Sequence, residues 1–111
     1  MRMLTLFAVA MLAASCSYGN ATGPACAEPC PNPVRVMNNR FEPPTRTIQV
    51  DETVTFFWNS GGVAHNVSFN DGPSSGNRSS GQYGRTFTLP GVYSYQCTIH
   101  GAAMSGTITV N

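Results

Sequence analysis

From Val34 onward, apolar and polar residues alternate with a period of two, and no stretch keeps a helical period over a useful length. Val34 and Val36 alternate with Arg35 and Met37. After the turn-rich run 38–44, Ile48 and Val50 alternate with Thr47, Gln49 and Asp51. Asp51 and Glu52 form a tight polar turn, beyond which Val54, Phe56 and Trp58 share one face and Thr53, Thr55 and Phe57 take the other. The run 59–62 breaks that strand. Val63, His65, Val67 and Phe69 then line up on one side of the next, with Ala64, Asn66 and Ser68 opposite. Residues 86–89 read as a strand, Pro90 and Gly91 as a turn, 92–96 as the returning strand and 106–110 as the closing one. The stretch 70–81 is a long polar loop, too poor in apolar residues to be a core element. About seven short strands with turn residues between them predict an all-β fold, an antiparallel Greek-key β-sandwich or barrel.

The residues ahead of this pattern divide the chain further. Arg2 followed by the apolar run 3–14 and small residues reads as an export signal over residues 1–15. A run of twelve residues is too short to cross a bilayer as a helix. Leu12-Ala13-Ala14-Ser15-Cys16 resembles a bacterial lipobox, in which the cysteine becomes a lipid-anchored first residue. Ordinary signal-peptidase cleavage nearby is the alternative. Residues 16–33, rich in proline, glycine and small polar residues, read as a flexible linker, and 34–111 as the single folded domain. Cleavage before Cys16 would leave 96 residues, enough to bury a core. The expected location is outside the cytoplasm, periplasmic or membrane-anchored, and the expected state is a monomer.

Charge removes several function classes. Without Arg2 the chain holds five arginines against five acids, and it has no lysine. No basic stripe can follow a phosphate backbone, so nucleic acid is not an expected partner, and no polybasic cluster suggests electrostatic membrane attachment. The N-x-S/T sequons at Asn20, Asn66 and Asn77 are read as chance.

Four cysteines in an exported chain suggest two disulfides. A division of labour fits better: Cys16 for lipid, Cys97 for metal, and Cys26 and Cys30 either paired, free or a minor thiol metal site. A Cys26–Cys30 bond would close only a small loop and stabilise little beyond it.

The candidate chemistry lies near the C-terminus. The alternation of Tyr93, Tyr95 and Cys97 points the thiol inward at a strand's end, and a short loop then presents His100 and Met104. A thiolate, an imidazole and a thioether thus fall within eight residues. His65, the only other histidine, sits on an apolar face where an unpaired imidazole is costly. Taken singly, Cys97 could be a core thiol, His100 a surface residue and Met104 filler. Together, two histidines, one cysteine and a weak methionine form the donor set of an electron-transferring copper site. Zinc ordinarily takes four strong tetrahedral donors, for which methionine is poorly suited. A Cys97/His100 nucleophile pair lacks evident oxyanion donors or a substrate cleft, and the absence of Cys-x-x-Cys-His excludes covalent haem attachment.

With these residues in view, the stretch from about Val34 to Val110 resembles the cupredoxins, the blue copper proteins of the plastocyanin, amicyanin and azurin type. The resemblance is carried by His65-Asn66, by Tyr93-x-Tyr95-x-Cys97-x-x-His100, and by Met104 ahead of the strand 106–110. It implies one type 1 copper ion, with His65, Cys97 and His100 as in-plane ligands and Met104 as the axial one. It further implies that Asn66 ties the two ligand-bearing segments together, where its bland alternative is a solvent-facing strand position. Three residues separate His100 from Met104, where plastocyanins have four and amicyanins two, and Gly101 stands where the family often has proline. The implied role is single-electron exchange with transient redox partner proteins, without a substrate or enzymatic activity. Copper buffering or delivery by a lipoprotein is the alternative, and a metal-free adhesion sandwich the third.

Overall fold

The computed structural model describes residues 26–111. The leader at 1–15, Cys16 and the linker as far as residue 25 lie outside the described residues. Among the described residues there are eight strands and no helix: β1 (Pro33–Met37), β2 (Arg40–Glu42), β3 (Thr45–Ile48), β4 (Thr53–Trp58), β5 (Ser68–Phe69), β6 (Gln82–Thr86), β7 (Gly91–Cys97) and β8 (Gly101–Val110).

They form two four-stranded sheets, ordered β2-β1-β4-β6 and β3-β8-β7-β5. The all-β sandwich is as expected, but the sheets are mixed. β1 runs parallel to β4, with Val34 opposite Phe56, and β3 runs parallel to β8, with Ile48 opposite Val110. Alternation reports which face a residue takes and carries no information about strand direction, so the antiparallel expectation fails at these two pairs.

Three further boundaries differ from the pattern. The turn-rich run 38–44 hides β2, joined to β1 through Asn38 and Asn39, where Asn39 takes φ 67° and lets Met37 pair with Arg40. The strand expected over 86–89 lies earlier, at β6, where Tyr83 faces Phe56 across the ladder with β4. Of the strand expected from Val63 to Phe69 only β5 is regular. The residues before it leave the sheet, so Val63 is exposed while His65, Asn66 and Val67 are all buried.

The two inner faces enclose one core. Val34, Val36, Val54, Phe56 and Trp58 come from one sheet, and Tyr95, Cys97, Ile108 and Val110 from the other. Full burial of such side chains contributes about 1.5–3 kcal/mol each. Phe41, Phe56, Phe69 and Tyr95 interlock, mostly edge to face, with the Phe41 and Tyr95 ring centres 4.8 Å apart. Between the edge strands β5 and β6, Arg85 closes the open side. It pairs with both carboxylate oxygens of Asp71, at 2.9 and 2.6 Å, and lies over the rings of Phe69, Phe87 and Tyr93.

Residues 26–32, assigned to the linker from composition, lie against this sandwich. Cys26 and Cys30 are joined by a disulfide, which answers the question left open between pairing and a thiol metal site. The N–H of Ala27 donates to Oε1 of Gln82 at 3.2 Å, and that of Thr55 to the carbonyl of Pro31 at 3.1 Å.

Candidate metal centre

β7 carries Cys97 to the end of its sheet, and a turn at 98–100 reverses the chain into β8. The turn closes with the N–H of His100 donating to the carbonyl of Cys97 at 3.2 Å. Gly101 then takes φ 68°, a left-handed conformation that proline, fixed near −65°, cannot adopt. The glycine at this position therefore follows from how tightly the chain turns.

The β7–β8 ladder pairs Cys97 with Gly101 and Gln96 with Ser105. Ala102, Ala103 and Met104 occupy the intervening register shift, a bulge on β8. Met104 thus sits on an irregular part of a strand, where the sequence suggests a loop. Its side chain is buried in the core cluster while Ala102 and Ala103 face outward.

His65 arrives from the other side of the sandwich and is held by its backbone. Its N–H donates to the carbonyl of Arg78 and its carbonyl accepts from the N–H of Arg78, both at 2.9 Å. The indole N–H of Trp58 donates to the same His65 carbonyl at 3.3 Å. These fastenings to Arg78 and Trp58 have no signature in the sequence, because they are made by the histidine's main chain.

The turn and the His65 segment bring three donor atoms together. Nδ1 of His65 lies 3.1 Å from Nδ1 of His100, and Sγ of Cys97 lies 3.8 and 3.7 Å from those two nitrogens. The circle through the three atoms has a radius of about 2.1 Å, a metal–nitrogen bond length and slightly short of a metal–sulfur one. This is the His2Cys trigonal set that suits copper. Among the described residues, these three form the cluster able to hold a metal ion. Cys97 is a free thiol and, like His65, fully buried, whereas His100 reaches the surface. Burial, and then the neighbouring His100, hold the pKa of His65 below the ordinary histidine value, which keeps its ring neutral and its lone pair available.

Asn66 is buried, so the solvent-facing alternative does not apply. Its backbone N–H points at Cys97 Sγ, 3.4 Å away. Its side-chain oxygen accepts from the N–H of Thr98 at 3.0 Å, and its side-chain nitrogen donates to Thr98 Oγ1 at 2.7 Å. The His65 and Cys97 segments are thereby bound at the level of the donor atoms.

Residues 32–111 match the family model described as "Copper binding proteins, plastocyanin/azurin family". The chain belongs to the plastocyanin/azurin family. As a member of that family it takes copper as its cofactor, one ion of the type 1 kind. It is 38% identical over 84 residues to plastocyanin from Scenedesmus fuscus, covering 63% of this chain and 85% of that one. It is also 38% identical over 85 residues to a chloroplastic plastocyanin of Oryza sativa subsp. indica, covering 64% of this chain and 54% of that longer protein. Among solved structures, an oxidised amicyanin mutant superposes with a TM-score of 0.65 at 31% identity, over 78% of this chain and 90% of the other. A purple cupredoxin from Nitrosopumilus maritimus shares the fold, with a TM-score of 0.64 at 23% identity over 71% and 98% of the two chains. For a plastocyanin/azurin protein, the eight strands and the mixed sheets form a frame whose one end presents the metal donors.

Proposed function

We propose that the protein is an exported blue copper protein that carries single electrons between redox partners, and that His65, Cys97, His100 and Met104 are the residues that would hold the ion. The observation that carries this reading is the triangle of donor atoms, which already has the size of a metal coordination sphere. Copper, when bound, supplies the one-electron Cu(II)/Cu(I) couple.

The chain's part is to keep its donors still and give the electron one way out. Arg78 and Trp58 fasten the His65 backbone, and Asn66 fastens the Cys97 segment. Donors held this way shift little between oxidation states, and small reorganisation favours fast transfer. The Asn66 N–H hydrogen bond also draws charge from the Cys97 sulfur, one of the levers on the potential of such a site.

Full burial of His65 and Cys97 excludes water from the inner side. The exposed His100 is flanked by exposed Ile99, Ala102 and Ala103, and residues 86–111 hold no Asp, Glu, Lys or Arg. The uncharged β7–β8 turn that carries this exposed ligand suits brief contact with a partner's apolar face. Export agrees with the leader-like residues 1–15, and Cys16 is the proposed point of lipid attachment.

A chelation experiment tests this role against copper delivery. The copper-loaded protein is cycled between oxidant and reductant in the presence of a strong Cu(I) chelator. An electron carrier retains its copper through repeated cycles. Transfer of the metal to the chelator on the first reduction would favour delivery.

A further inference from the structure

The geometry points to Asn77 as a positioning residue for the copper centre: by accepting a hydrogen bond from Asn66, it fixes the carboxamide that joins the two ligand-bearing segments. The inference rests on the reading of Cys97 as a ligand.

The carboxamide of Asn66 can donate two hydrogen bonds and accept two. It accepts from the N–H of Thr98 and from Oγ of Ser68, both at 3.0 Å. It donates to Thr98 Oγ1 at 2.7 Å, and its second N–H goes to Oδ1 of Asn77 at 2.9 Å. The side chain is therefore saturated. Turning it over would set an NH2 group against the Thr98 N–H, so a firm acceptor for the second N–H helps hold the orientation on which the Thr98 bonds depend.

Asn66 is 3% exposed, and an N–H left unpaired there would be costly. A small tilt of Asn66 would also be felt at the metal, because its backbone N–H points at Cys97 Sγ and Thr98 follows Cys97 directly.

Asn77 is well placed for this work. It belongs to the polar loop 70–81, which adds no apolar side chain to the core. The residues around it are pinned to the same segment. Arg78 exchanges two backbone hydrogen bonds with His65, and Ser75 accepts from the Val67 N–H through Oγ and donates its own N–H to the Val67 carbonyl. The loop thus acts as a clasp along 65–67, and Asn77 is the side chain through which the clasp reaches Asn66.

Three variants separate this role from loop ordering. Asn77→Leu removes the acceptor, Asn77→Asp keeps one, and Ser75→Ala loosens the same loop without touching Asn66. Two readouts are followed: NMR exchange of the Asn66 side-chain amide protons in the metal-free protein, and the reduction potential of the copper protein. Asn77→Leu is expected to speed the amide exchange about two- to tenfold, the worth of one net hydrogen bond, and to move the potential away from wild type. Asn77→Asp should restore slow exchange, while its added charge lowers the potential by an electrostatic route of its own, and Ser75→Ala should leave both readouts near wild type. Unchanged exchange and potential in Asn77→Leu, or equal changes in Ser75→Ala, would overturn the proposal. The metal-free readout does not depend on copper, so a failure of the copper reading would show separately, as a wild-type protein without a blue band.

Discussion

His65 concentrates the physics of the site in one side chain. A fully buried imidazole that must stay neutral is disfavoured in acid, because the unfolded chain can take up a proton that the folded one resists. The folded pKa lies below the unfolded value of about 6.5. The contribution of His65 to the stability of the metal-free protein is therefore fully present above about 6.5 and is lost as pH falls from there through the folded pKa. Thermal unfolding of the metal-free protein should show a lower midpoint at pH 5.5 than at 7.5, whereas Glu52 and Asp71, whose pKa values are also depressed, lose their contributions only at more acid pH. A flat profile between those two values would mean that the folded protein protonates His65 freely. Met104 offers a second residue-scale test. Replacing it by leucine keeps the bulge filled and removes a weak donor to Cu(II), so copper should remain bound at a raised reduction potential. An unchanged potential on voltammetry would make Met104 a packing residue. At this scale the sequence was legible where side-chain chemistry is scarce: two histidines and, among the described residues, one cysteine outside the disulfide leave few alternatives. Asn77 was not legible, since an asparagine in a polar loop looks the same whether or not it faces a buried amide.

The elements explain why the donors meet. β8 is ten residues long and spans the sandwich, yet its first part is spent on the bulge that admits Met104. Further along β8, Gly106 lies opposite Tyr95, whose ring crosses directly over it. A Cβ at this position would collide with the Tyr95 phenol and come within 2.7 Å of the Pro44 carbonyl. Gly106→Ala should therefore destabilise the protein by about 1–3 kcal/mol, a penalty of overpacking that denaturant unfolding can measure. A neutral result would require the Tyr95 ring to move without loss. Element by element, β1, β4 and β7 could be read from alternation because each packs one face inward for several residues. β5 could not, because the chain around it pairs with the 73–78 loop where a neighbouring strand would otherwise lie. Parallel pairing was hidden for a different reason: it depends on which strands become neighbours, and the pattern within each strand is the same either way.

On the scale of the whole molecule, the sandwich separates two tasks. Its aromatic interior and the Arg85–Asp71 closure keep the two sheets together, while one end gathers donors from the His65 segment and the β7–β8 turn. Together these donors are proposed to form a thiolate–copper centre. The most direct test is the visible absorption spectrum of the mature protein after addition of Cu(II), with Cys97→Ser measured beside it. An intense blue band, bleached by mild reductant, restored by oxidant and absent from Cys97→Ser, is the expected result. Copper binding without that band, or a band that survives loss of the Cys97 sulfur, would contradict it.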